Sequence, residues 1–505
     1  MKPPGSAPEN RPMKITPSLL YDHFQCPHRP WRDAHGPREE MADAGDEFMR
    51  MLWERGLRHE ESVLEGLEFL DLSRGSEEER LAATADAIAR REPVIYQGVI
   101  AAGEYLGIPD LLVLDAEEGY IPHDIKSGSA TSPSRERVKN EWAVQLALYA
   151  EVIRRLGIGS GSRGVLIDTT GERVSVELDA EYDSEGRTVR ELFFASAESV
   201  RRLIEGTDRN DPAISPACRN CPWQRSCRSW CEQAEDLTLV FSVGRRDRDT
   251  LRDELGIASI PDLLARGPDE LIAYKREDKS RLPGIGTSGI SKLFRRAELL
   301  RTGGEPKMHE RFDFPEVETE LFFDIESDPT RDLVYLHGFW VREGGQERFV
   351  HFLSSGTEPA DEERAFAAAF EFICSFDPER MALYFYSPYE KTAYRRLRAK
   401  YPGVAPATEV EAVFAHANAI DLYTDVVAKK TDWPLGSYGI KSIAGFIGFR
   451  WRDDSPSGAL SIKWYNEFVE TGDAALLERI LIYNEDDCRA TAAVKDYLQV
   501  RMSEL

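Results

Sequence analysis

The sequence predicts a multidomain α/β protein built from three regions. The chain has 505 residues, more than a single hydrophobic core usually organises. Residues 14–235 and 318–505 each combine short apolar runs typical of strands with longer helical patterns. Residues 236–310 lie between them, are polar and have only helical patterns. We therefore expect two α/β domains joined by a helical connector.

Composition narrows the class of protein. Hydrophobic residues make up 42% and charged residues 30% of the chain, as in globular proteins. The net charge of −25 argues against a surface that binds polyanions everywhere, although basic groups occur locally, as in "GRRDRD" at 244–249. The N-terminus "MKPPGSAPENRP" has no apolar run of a signal peptide, and no later run is long enough to span a bilayer. We expect a cytoplasmic protein.

The first region contains two strong helical patterns and three strand patterns. The strands are "PVIYQGVIAA", "GIPDLLVLDA" and "GYIPHDIKSG", divided by glycine and acidic turns. Asp124 and Lys126 in the third strand are two residues apart, so their side chains point to one face. An ordinary explanation is a surface ion pair, which contributes less than about 1 kcal/mol.

Further polar residues occur in a set order along this region. They are Gly56 and His59 on the first helix, Asp110 on the second strand, Asp124 and Lys126 on the third, and Gln145 and Tyr149 on the next helix. This order resembles the RecB-like branch of the PD-(D/E)xK nucleases over residues 14–235. Each residue alone would have an ordinary structural role, but the four motifs together favour a nuclease.

The resemblance implies a role for each of these residues. Asp110 and Asp124 would offer hard oxygen ligands to Mg²⁺ or Mn²⁺, and His59 would be a further ligand that favours Mn²⁺. Lys126 would stabilise the charge that develops on the scissile phosphate. Gln145 and Tyr149 would position the substrate backbone.

The cysteines suggest a second inorganic group. Cys218, Cys221 and Cys227 form a C-x2-C-x5-C triplet, and Cys26 lies just before the first helical region. This one-plus-three layout resembles the iron–sulfur nucleases of the same branch, including AddB-type repair nucleases and CRISPR adaptation exonucleases. The resemblance implies a [4Fe–4S] cluster that joins the two ends of the domain.

Other metals and thiols leave alternatives open. A structural Zn²⁺ is the alternative cofactor, although the two short C-x2-C pairs typical of zinc sites are absent. Cys231 is a further thiol that could replace one ligand. Cys374 and Cys488 are expected to be buried as small hydrophobic residues.

The connector contains a glycine-rich turn, "LPGIGTSGI" at 282–290. The polar segment before it is not the strand that a dinucleotide site requires. The turn looks like a helix–hairpin–helix motif, in which the backbone at Gly284 and Gly286 would contact a DNA phosphate. A hairpin that only packs between domains fits the pattern equally well. The chain has no Walker A motif, so we expect no helicase motor in it.

The third region starts with "LFFDIESDP", where Asp324 and Glu326 share one face of a strand. Near the C-terminus, Tyr483 and Asp487 are four residues apart in a helical pattern and share a face. These motifs resemble the tyrosine variant of the DEDD exonucleases, which have the RNase H-like fold. The segment "GSYGIKSIAGFIGF" looks like YprB-type members, and the resemblance covers residues 318–505.

In that family four carboxylates hold two divalent ions, and Tyr483 would orient the attacking water. The second motif departs from the family pattern, because Ser387 replaces Asn and Glu390 takes the Asp position. Asp421 could be an accessory acid, and Asp486 is expected to be exposed on its helix. The alternative for this domain is an intact fold with weak or lost catalysis.

Together these patterns predict a two-nuclease protein: an iron–sulfur RecB-like domain, a connector that contacts DNA, and an RNase H-like 3′–5′ exonuclease. We expect the substrate to be DNA, single-stranded or at ends, and the role to be repair, recombination or defence. One alternative is a non-catalytic scaffold that binds nucleic acid and recruits a helicase in trans. Another is an RNA-processing exonuclease.

Overall fold

The computed structural model describes residues 14–42, 47–128, 131–132, 135–169, 171–453 and 457–505. The proline-rich N-terminus interpreted above, residues 1–12, and Asp46 at the start of the first predicted helix lie outside the described residues. The chain divides into two compact units, Met1–Trp230 and Cys231–Leu505.

The first unit contains seven α-helices and ten strands within the described residues. The helices are α1 (Pro17–Gln25), α2 (Arg29–His35), α3 (Glu47–Leu64), α4 (Glu77–Ala89), α5 (Asn140–Leu156), α6 (Val189–Glu205) and α7 (Gln224–Gln233), the last of which contains the unit boundary. The strands are β1 (Leu70–Asp71), β2 (Val94–Tyr96), β3 (Ile100–Ala102), β4 (Tyr105–Gly107), β5 (Leu111–Asp115), β6 (Gly119–Ile125), β7 (Thr131–Ser132), β8 (Arg135–Val138), β9 (Arg163–Ile167) and β10 (Arg173–Glu177).

Six of these strands form one mixed sheet in the order β1-β2-β5-β6-β9-β10. β6 pairs with β5 in antiparallel and with β9 in parallel orientation. Helix α5 packs against this sheet and is buried at every position from 143 to 153. A helix that is apolar on nearly all sides is expected in a core. It ends at Gly157, whose left-handed backbone (φ 69°) suits glycine.

The second unit begins with a helical part and continues as an α/β part. Its helices are α8 (Arg245–Leu255), α9 (Ile260–Arg266), α10 (Pro268–Glu277), α11 (Thr287–Thr302), α12 (Pro359–Cys374), α13 (Tyr389–Lys400), α14 (Ala407–Ala415), α15 (Ala428–Lys430), α16 (Ile440–Phe446), α17 (Gly458–Thr471) and α18 (Ala474–Ser503). Its strands are β11 (Lys307–Met308), β12 (Thr319–Asp328), β13 (Leu333–Glu343), β14 (Gln346–Leu353), β15 (Met381–Phe385), β16 (Ala419–Asp421) and β17 (Thr431–Asp432).

Five strands of this unit form a sheet in the order β14-β13-β12-β15-β16. The first three are antiparallel neighbours, whereas β12, β15 and β16 run parallel. Hydrophobic clusters cover the sheet, and α18 packs on β12 and β13. The central strand β12 and the long C-terminal helix α18 are therefore brought into contact.

The structure corrects several details of the sequence analysis. The predicted strand "PVIYQGVIAA" is divided into β2 and β3, because Gln97 has a left-handed backbone (φ 55°). Asp110 lies just before β5 and Lys126 just after β6, rather than within strands. Cys374 is exposed, not buried, while Cys488 is buried as expected.

Candidate active sites

Two acidic side chains lie at the same end of the β5–β6 hairpin. The backbone N–H of Ile125 donates to Asp110 Oδ2 at 2.6 Å, which holds this carboxylate beside the strand that carries Asp124. Lys126 Nζ lies 2.5 Å from Asp124 Oδ2. The structure thus brings Asp110, Asp124 and Lys126 together, and the alternation of side chains along a strand accounts for the last two.

The charges of this group depend on one another. Burial raises the pKa of Asp110 well above its ordinary value, and the nearby carboxylates of Asp124 and Glu60 raise it further. Burial alone would lower the pKa of Lys126, but Asp124 and Asp110 outweigh it, and the net shift is upward. Buried carboxylates this close favour an additional cation, so the site has the electrostatics of a divalent-metal site.

The sequence analysis missed two residues of this site, Glu60 and Gln97. Gln97 Nε2 donates to Asp110 Oδ1 at 2.9 Å and to Glu60 Oε1 at 3.0 Å. The left-handed backbone of Gln97 is a rare conformation for this residue type, and such strain often accompanies a functional position. The family resemblance indicates the neighbouring His59 instead, through its Gly-x-x-His motif.

His59 is placed differently from the acids. Its Nε2 is buried without a hydrogen-bond partner among the described residues, and its side chain lines a cavity with Thr169 and Arg173. Asp110, Asp124 and His59 do not form a group whose ligand atoms all lie within 4.8 Å of one another. Gly56, one turn before His59, has no atom within 4 Å of the Cβ position.

Gln145 and Tyr149 lie one turn apart on α5, and both are buried. The Tyr149 hydroxyl donates to the Ile108 carbonyl at 3.2 Å. Burial raises the pKa of Tyr149 well above its ordinary value, and Asp124 and Asp110 add to the rise, so the phenol faces the acids. Gln145 Nε2 donates to the Pro17 carbonyl, while its Oε1 has no partner among the described residues.

Four cysteines of the first unit are close enough to affect one another's ionisation. Burial raises the pKa of the Cys227 thiol to about 12, although the guanidinium of Arg32 opposes the rise. Charges on the other three thiols raise it further; these are Cys221, Cys26 and Cys218. The structure therefore brings the distant Cys26 to the triplet, and four converging thiols are a suitable ligand set for a metal or an iron–sulfur cluster.

The second unit contains the most compact acidic group. Asp324 and Glu326 on β12 and Asp487 on α18 have ligand oxygens within 4.8 Å of one another. It is the one such group of His, Cys, Asp or Glu found among the described residues. Burial raises the pKa of Asp324 well above its ordinary value, and the charges of Asp487 and Glu326 raise it further. Such mutual repulsion is typical of carboxylates that share a cation.

Neighbouring side chains fix the orientation of these acids. Asn484 Nδ2 donates to Asp324 Oδ2 at 2.7 Å, and Trp451 Nε1 donates to Asp487 Oδ1 at 2.7 Å. Gly338 allows Asn484 to approach, since a Cβ there would lie 1.7 Å from the Asn484 amide oxygen. These hydrogen bonds hold the carboxylates of Asp324 and Asp487 in place.

Lys441, on α16, is a further residue of this site that the sequence analysis missed, besides Asn484 and Trp451. Its Nζ donates to the Tyr483 hydroxyl at 2.9 Å and lies 4.8 Å from the centre of that ring. Its charge lowers the pKa of each of the three acids against the effect of burial. The quoted segment "GSYGIKSIAGFIGF" contains Lys441, but no periodicity in it indicates which way the lysine points.

Glu390 and Asp421 lie beside the acidic group. Glu390 is buried at the start of α13, and burial raises its pKa to about 8. Its charge contributes to the raised pKa of Asp324, yet it is not within the 4.8 Å group. Asp421 is buried and in turn raises the pKa of Glu390, so both acids face the same region.

The position of Asp486 differs from the prediction that it is exposed. It is 2% exposed, rather than lying on the surface of its helix. Its carboxylate accepts hydrogen bonds from the backbone N–H and from Nε of Arg452, both at 2.8 Å. Adjacent aspartates of α18 thus have different environments: Asp487 faces the other acids and Asp486 is neutralised by an arginine.

The connector contains two hairpins with the same turn hydrogen bond and glycine cap, where the sequence analysis predicted one. In the hairpin Leu282–Gly286, the N–H of Ile285 donates to the Leu282 carbonyl at 3.0 Å. Gly284 has a positive φ, and Gly286 is the N-terminal cap of α11. In the hairpin Val240–Gly244, the N–H of Val243 donates to the Val240 carbonyl at 3.1 Å. Ser242 has a positive φ, and Gly244 is the N-terminal cap of α8.

The two hairpins have different surroundings within the second unit. In the first, Phe241 stacks on Tyr438 with ring centres 3.8 Å apart, and Ser242 Oγ accepts from Arg296. In the second, a Cβ on Gly284 would meet only the carboxylate of Asp247, at 3.7 Å, and one on Gly286 would meet nothing within 4 Å. The first hairpin packs internally, while the backbone at Gly284 and Gly286 remains accessible.

Comparison with protein families finds one match around each acidic site. Residues 20–228 match the model of the PD-(D/E)XK nuclease superfamily, and residues 321–499 match the model of the RNase_H superfamily. The chain combines a PD-(D/E)XK domain with an RNase H domain. This confirms the predicted multidomain α/β fold and, at the level of the two superfamilies, the two predicted nuclease domains. No curated protein matches the chain.

The two superfamilies support a metal-dependent nuclease function, with nucleic acid as substrate. The PD-(D/E)XK match includes the lysine-bearing site and the four converging cysteines, and the RNase H match includes the acidic group of β12 and α18. Within the part of the chain that the structure describes, no helix combines the length and apolar character needed to cross a membrane.

The acids of the RNase H domain predict an unusual pH dependence of stability. The pKa of Glu326 and that of Glu390 are each raised by burial to about 8, from an ordinary value of 4.5. The folded protein then binds more protons than the unfolded chain between these values. The free energy of unfolding of the metal-free protein should therefore fall as the pH rises from about 5 to about 9.

Thermal unfolding in EDTA at pH 5, 7 and 9 would measure this effect. Adding Mn²⁺ should restore stability most at pH 9, because the ionised acids bind the ion. The Glu326→Gln variant should have a flatter profile than the wild type in EDTA. A wild-type melting temperature that rises over this range, with no difference from the variant, would contradict the prediction.

Proposed function

We propose that this protein is a divalent-metal-dependent exonuclease that hydrolyses phosphodiester bonds of DNA, acting on single strands or from ends, in repair, recombination or defence. The observation that carries the proposal is common to both domains. Each has two or more neighbouring carboxylates, at least one of them buried, with one lysine beside them, Lys126 in the first and Lys441 in the second. A bound divalent cation supplies an activated water and neutralises charge on the phosphate.

In the PD-(D/E)XK domain, Asp110 and Asp124 are the proposed ligands for Mg²⁺ or Mn²⁺. Glu60 supports the position of Asp110 through Gln97, rather than touching the ion in our proposal. Lys126 contributes a fixed positive charge where the phosphate would acquire negative charge, and a charge placed in advance needs no reorganisation during the reaction.

In the RNase H domain, Asp324, Glu326 and Asp487 are the proposed ligands, with Glu390 as a fourth acid nearby. Tyr483 would orient the attacking water, and Lys441 would hold the Tyr483 hydroxyl in position through its 2.9 Å hydrogen bond. The intact acidic group favours an active domain over one that keeps the fold and has lost catalysis.

Digestion of matched strands would test the proposed substrate. DNA and RNA of identical sequence, each single-stranded or duplex, are incubated with the wild type and Mn²⁺, and the products are resolved by length. We expect stepwise shortening of single-stranded DNA or of duplex ends. Faster shortening of RNA would replace this proposal with an RNA-processing exonuclease, and binding without cleavage would favour a scaffold that recruits a helicase.

We further propose that Cys26, Cys218, Cys221 and Cys227 hold a [4Fe–4S] cluster. The convergence of four thiols supports this. The two short C-x2-C pairs typical of zinc sites are absent from the sequence, which favours the cluster over Zn²⁺.

Replacing Cys221 with serine should remove this cluster. After anaerobic purification the wild type should be brown, with about four iron atoms per chain if the cluster is [4Fe–4S]. The variant should lack the visible absorbance and unfold at a lower temperature, because the two ends of the domain lose a common ligand. Cys374→Ser is the matched control, since that thiol is exposed in the other unit and should not alter iron content. Stoichiometric zinc without iron in the wild type would reject the cluster.

The Leu282–Gly286 hairpin is the proposed DNA contact of the connector. Backbone N–H groups at such a turn can bind a phosphate without reading sequence. Its accessible glycines support this role, while the internally packed first hairpin is not part of the proposal.

A further inference from the structure

Strand β13 has a bulge beside Glu326 of the RNase H domain. Glu326 pairs with Leu336, whereas the next residue of β12, Ser327, pairs with Val334. The register therefore passes over Tyr335, which is an extra residue of β13. In a regular strand Tyr335 and Leu336 would point to opposite faces of the sheet. A bulge re-aims such a side chain, and bulges are common beside active sites.

The re-aimed Tyr335 meets helix α17, which packs on β12. Its hydroxyl oxygen lies 2.8 Å from Oγ of Ser461, and its ring stacks on Tyr465 with ring centres 4.2 Å apart. Ser461 and Tyr465 are one turn apart on α17 and share a face. All three side chains are buried. The stack and the hydrogen bond therefore fix the position of the Ser461 hydroxyl.

The Ser461 hydroxyl also faces the carboxyl group of Glu326. Burial raises the pKa of Glu326 to about 8, and the hydrogen-bonding hydroxyl of Ser461 opposes the rise. Burial raises the pKa of Tyr335 well above its ordinary value, and the charge of Glu326 adds to the rise. Tyr335, Ser461 and Glu326 therefore form one buried polar group that joins β13, α17 and β12.

The chemistry of these three groups fixes the direction of their hydrogen bonds. An ionised carboxylate only accepts, and a hydroxyl has one proton to donate. When Glu326 is ionised, Ser461 donates to it and accepts from Tyr335. Hydrogen bonds in such a chain polarise and strengthen one another in a buried site. Tyr335 therefore acts on the carboxylate through Ser461.

We propose that Ser461 and Tyr335 are positioning residues, which fix the Glu326 carboxylate in the orientation that binds a divalent cation. The proposal rests on the proposed function of the RNase H domain, in which Glu326 is a metal ligand. Groups that orient a metal ligand typically change metal affinity by about 10–100-fold when they are replaced. The affinity for the ion is therefore the property in which the two hydroxyls should be visible.

Mn²⁺ affinities of variants that lack a single oxygen atom would test the pair. Isothermal titration uses the full chain in an Asp124→Asn background, which removes the proposed ion of the PD-(D/E)XK domain. Ser461→Ala should weaken Mn²⁺ binding to the RNase H domain by about tenfold. Tyr335→Phe should weaken it less, because Glu326 keeps the hydrogen bond from Ser461. The double variant should match Ser461→Ala, since Tyr335 acts only through that hydroxyl.

Tyr465→Phe is the matched control, because it removes a phenolic hydroxyl from the other ring of the stack. That hydroxyl donates to the carbonyls of Ser354 and Gly356 and only anchors the ring. The control should lower the melting temperature in EDTA and leave the Mn²⁺ affinity unchanged. Thermal melting of every variant would separate lost binding from lost folding.

Two results would overturn the proposal. One is a wild-type Mn²⁺ affinity in Ser461→Ala, and the other is an equal loss of affinity in Tyr335→Phe and Tyr465→Phe. The Asp487→Asn variant identifies which proposal has failed. If it loses the ion while Ser461→Ala binds normally, only the positioning role is wrong; if it also binds normally, the proposed metal site is wrong together with it.

Discussion

Replacing Lys126 with alanine should lower the rate of DNA cleavage by the PD-(D/E)XK domain by about 10²–10³-fold, the usual effect of removing one preorganised stabilising group. The lysine Nζ lies 2.5 Å from Asp124, whose side chain is buried, so the variant also leaves that carboxylate without its nearest cation. The measurement is the initial rate on end-labelled single-stranded DNA in Mn²⁺. Using an Asp487→Asn background prevents the RNase H domain from contributing cleavage.

A second lysine of the same unit provides the control for this variant. Lys139 is exposed, and its Nζ lies over the Trp142 ring at 4.1 Å, outside the acidic site. Lys139→Ala should therefore cut at the wild-type rate. If Lys126→Ala also cuts at that rate in the Asp487→Asn background, the interaction with Asp124 is only a local ion pair, and this domain's activity has another centre.

The site residues that the sequence analysis identified are related to one another by short spacings along the chain. Asp124 and Lys126 are two residues apart at the end of β6, and Asp324 and Glu326 are two residues apart on β12, so the two-residue period places each pair on one face. Tyr483 and Asp487 are one helical turn apart, and the same period relates Gln145 to Tyr149. Such regularities depend on local backbone geometry alone and can be read without knowing the fold.

The missed residues depend on tertiary contacts. Gln97 reaches both Glu60 and Asp110 because its backbone leaves the strand conformation, and no residue pattern around it signals that change. Lys441 meets Tyr483 across 42 residues of sequence. Asp486 was expected to be exposed on its helix, but its hydrogen bonds with Arg452 make its burial tolerable.

Each site pairs its carboxylates with a lysine, and this has a consequence for metal binding. A lysine near buried acids lowers their pKa, so more of the acids are ionised at neutral pH when no ion is bound. The same positive charge repels a divalent cation. Lys126 and Lys441 should therefore weaken the affinity for a divalent cation. In return, they keep the carboxylate ligands ionised before the cation binds.

Adjacent aspartates of α18 allow the strongest test of the RNase H site. Asp487→Asn should abolish Mn²⁺ binding to this domain, because it removes a charged ligand from the group of three acids within 4.8 Å. The same variant should raise the melting temperature in EDTA at pH 8, since one repelling carboxylate is gone. Isothermal titration with Mn²⁺ and thermal unfolding in EDTA would measure the two effects on one preparation.

Asp486→Asn should behave in the opposite way, although it is the same substitution one residue earlier. It weakens hydrogen bonds to Arg452 that involve charged groups, each worth about 1.5–3 kcal/mol, so stability should fall. The acids at Asp324, Glu326 and Asp487 remain, and Mn²⁺ should bind with unchanged stoichiometry. If both variants keep the ion, or if Asp486→Asn alone loses it, the metal is not held where the carboxylates of β12 and α18 converge.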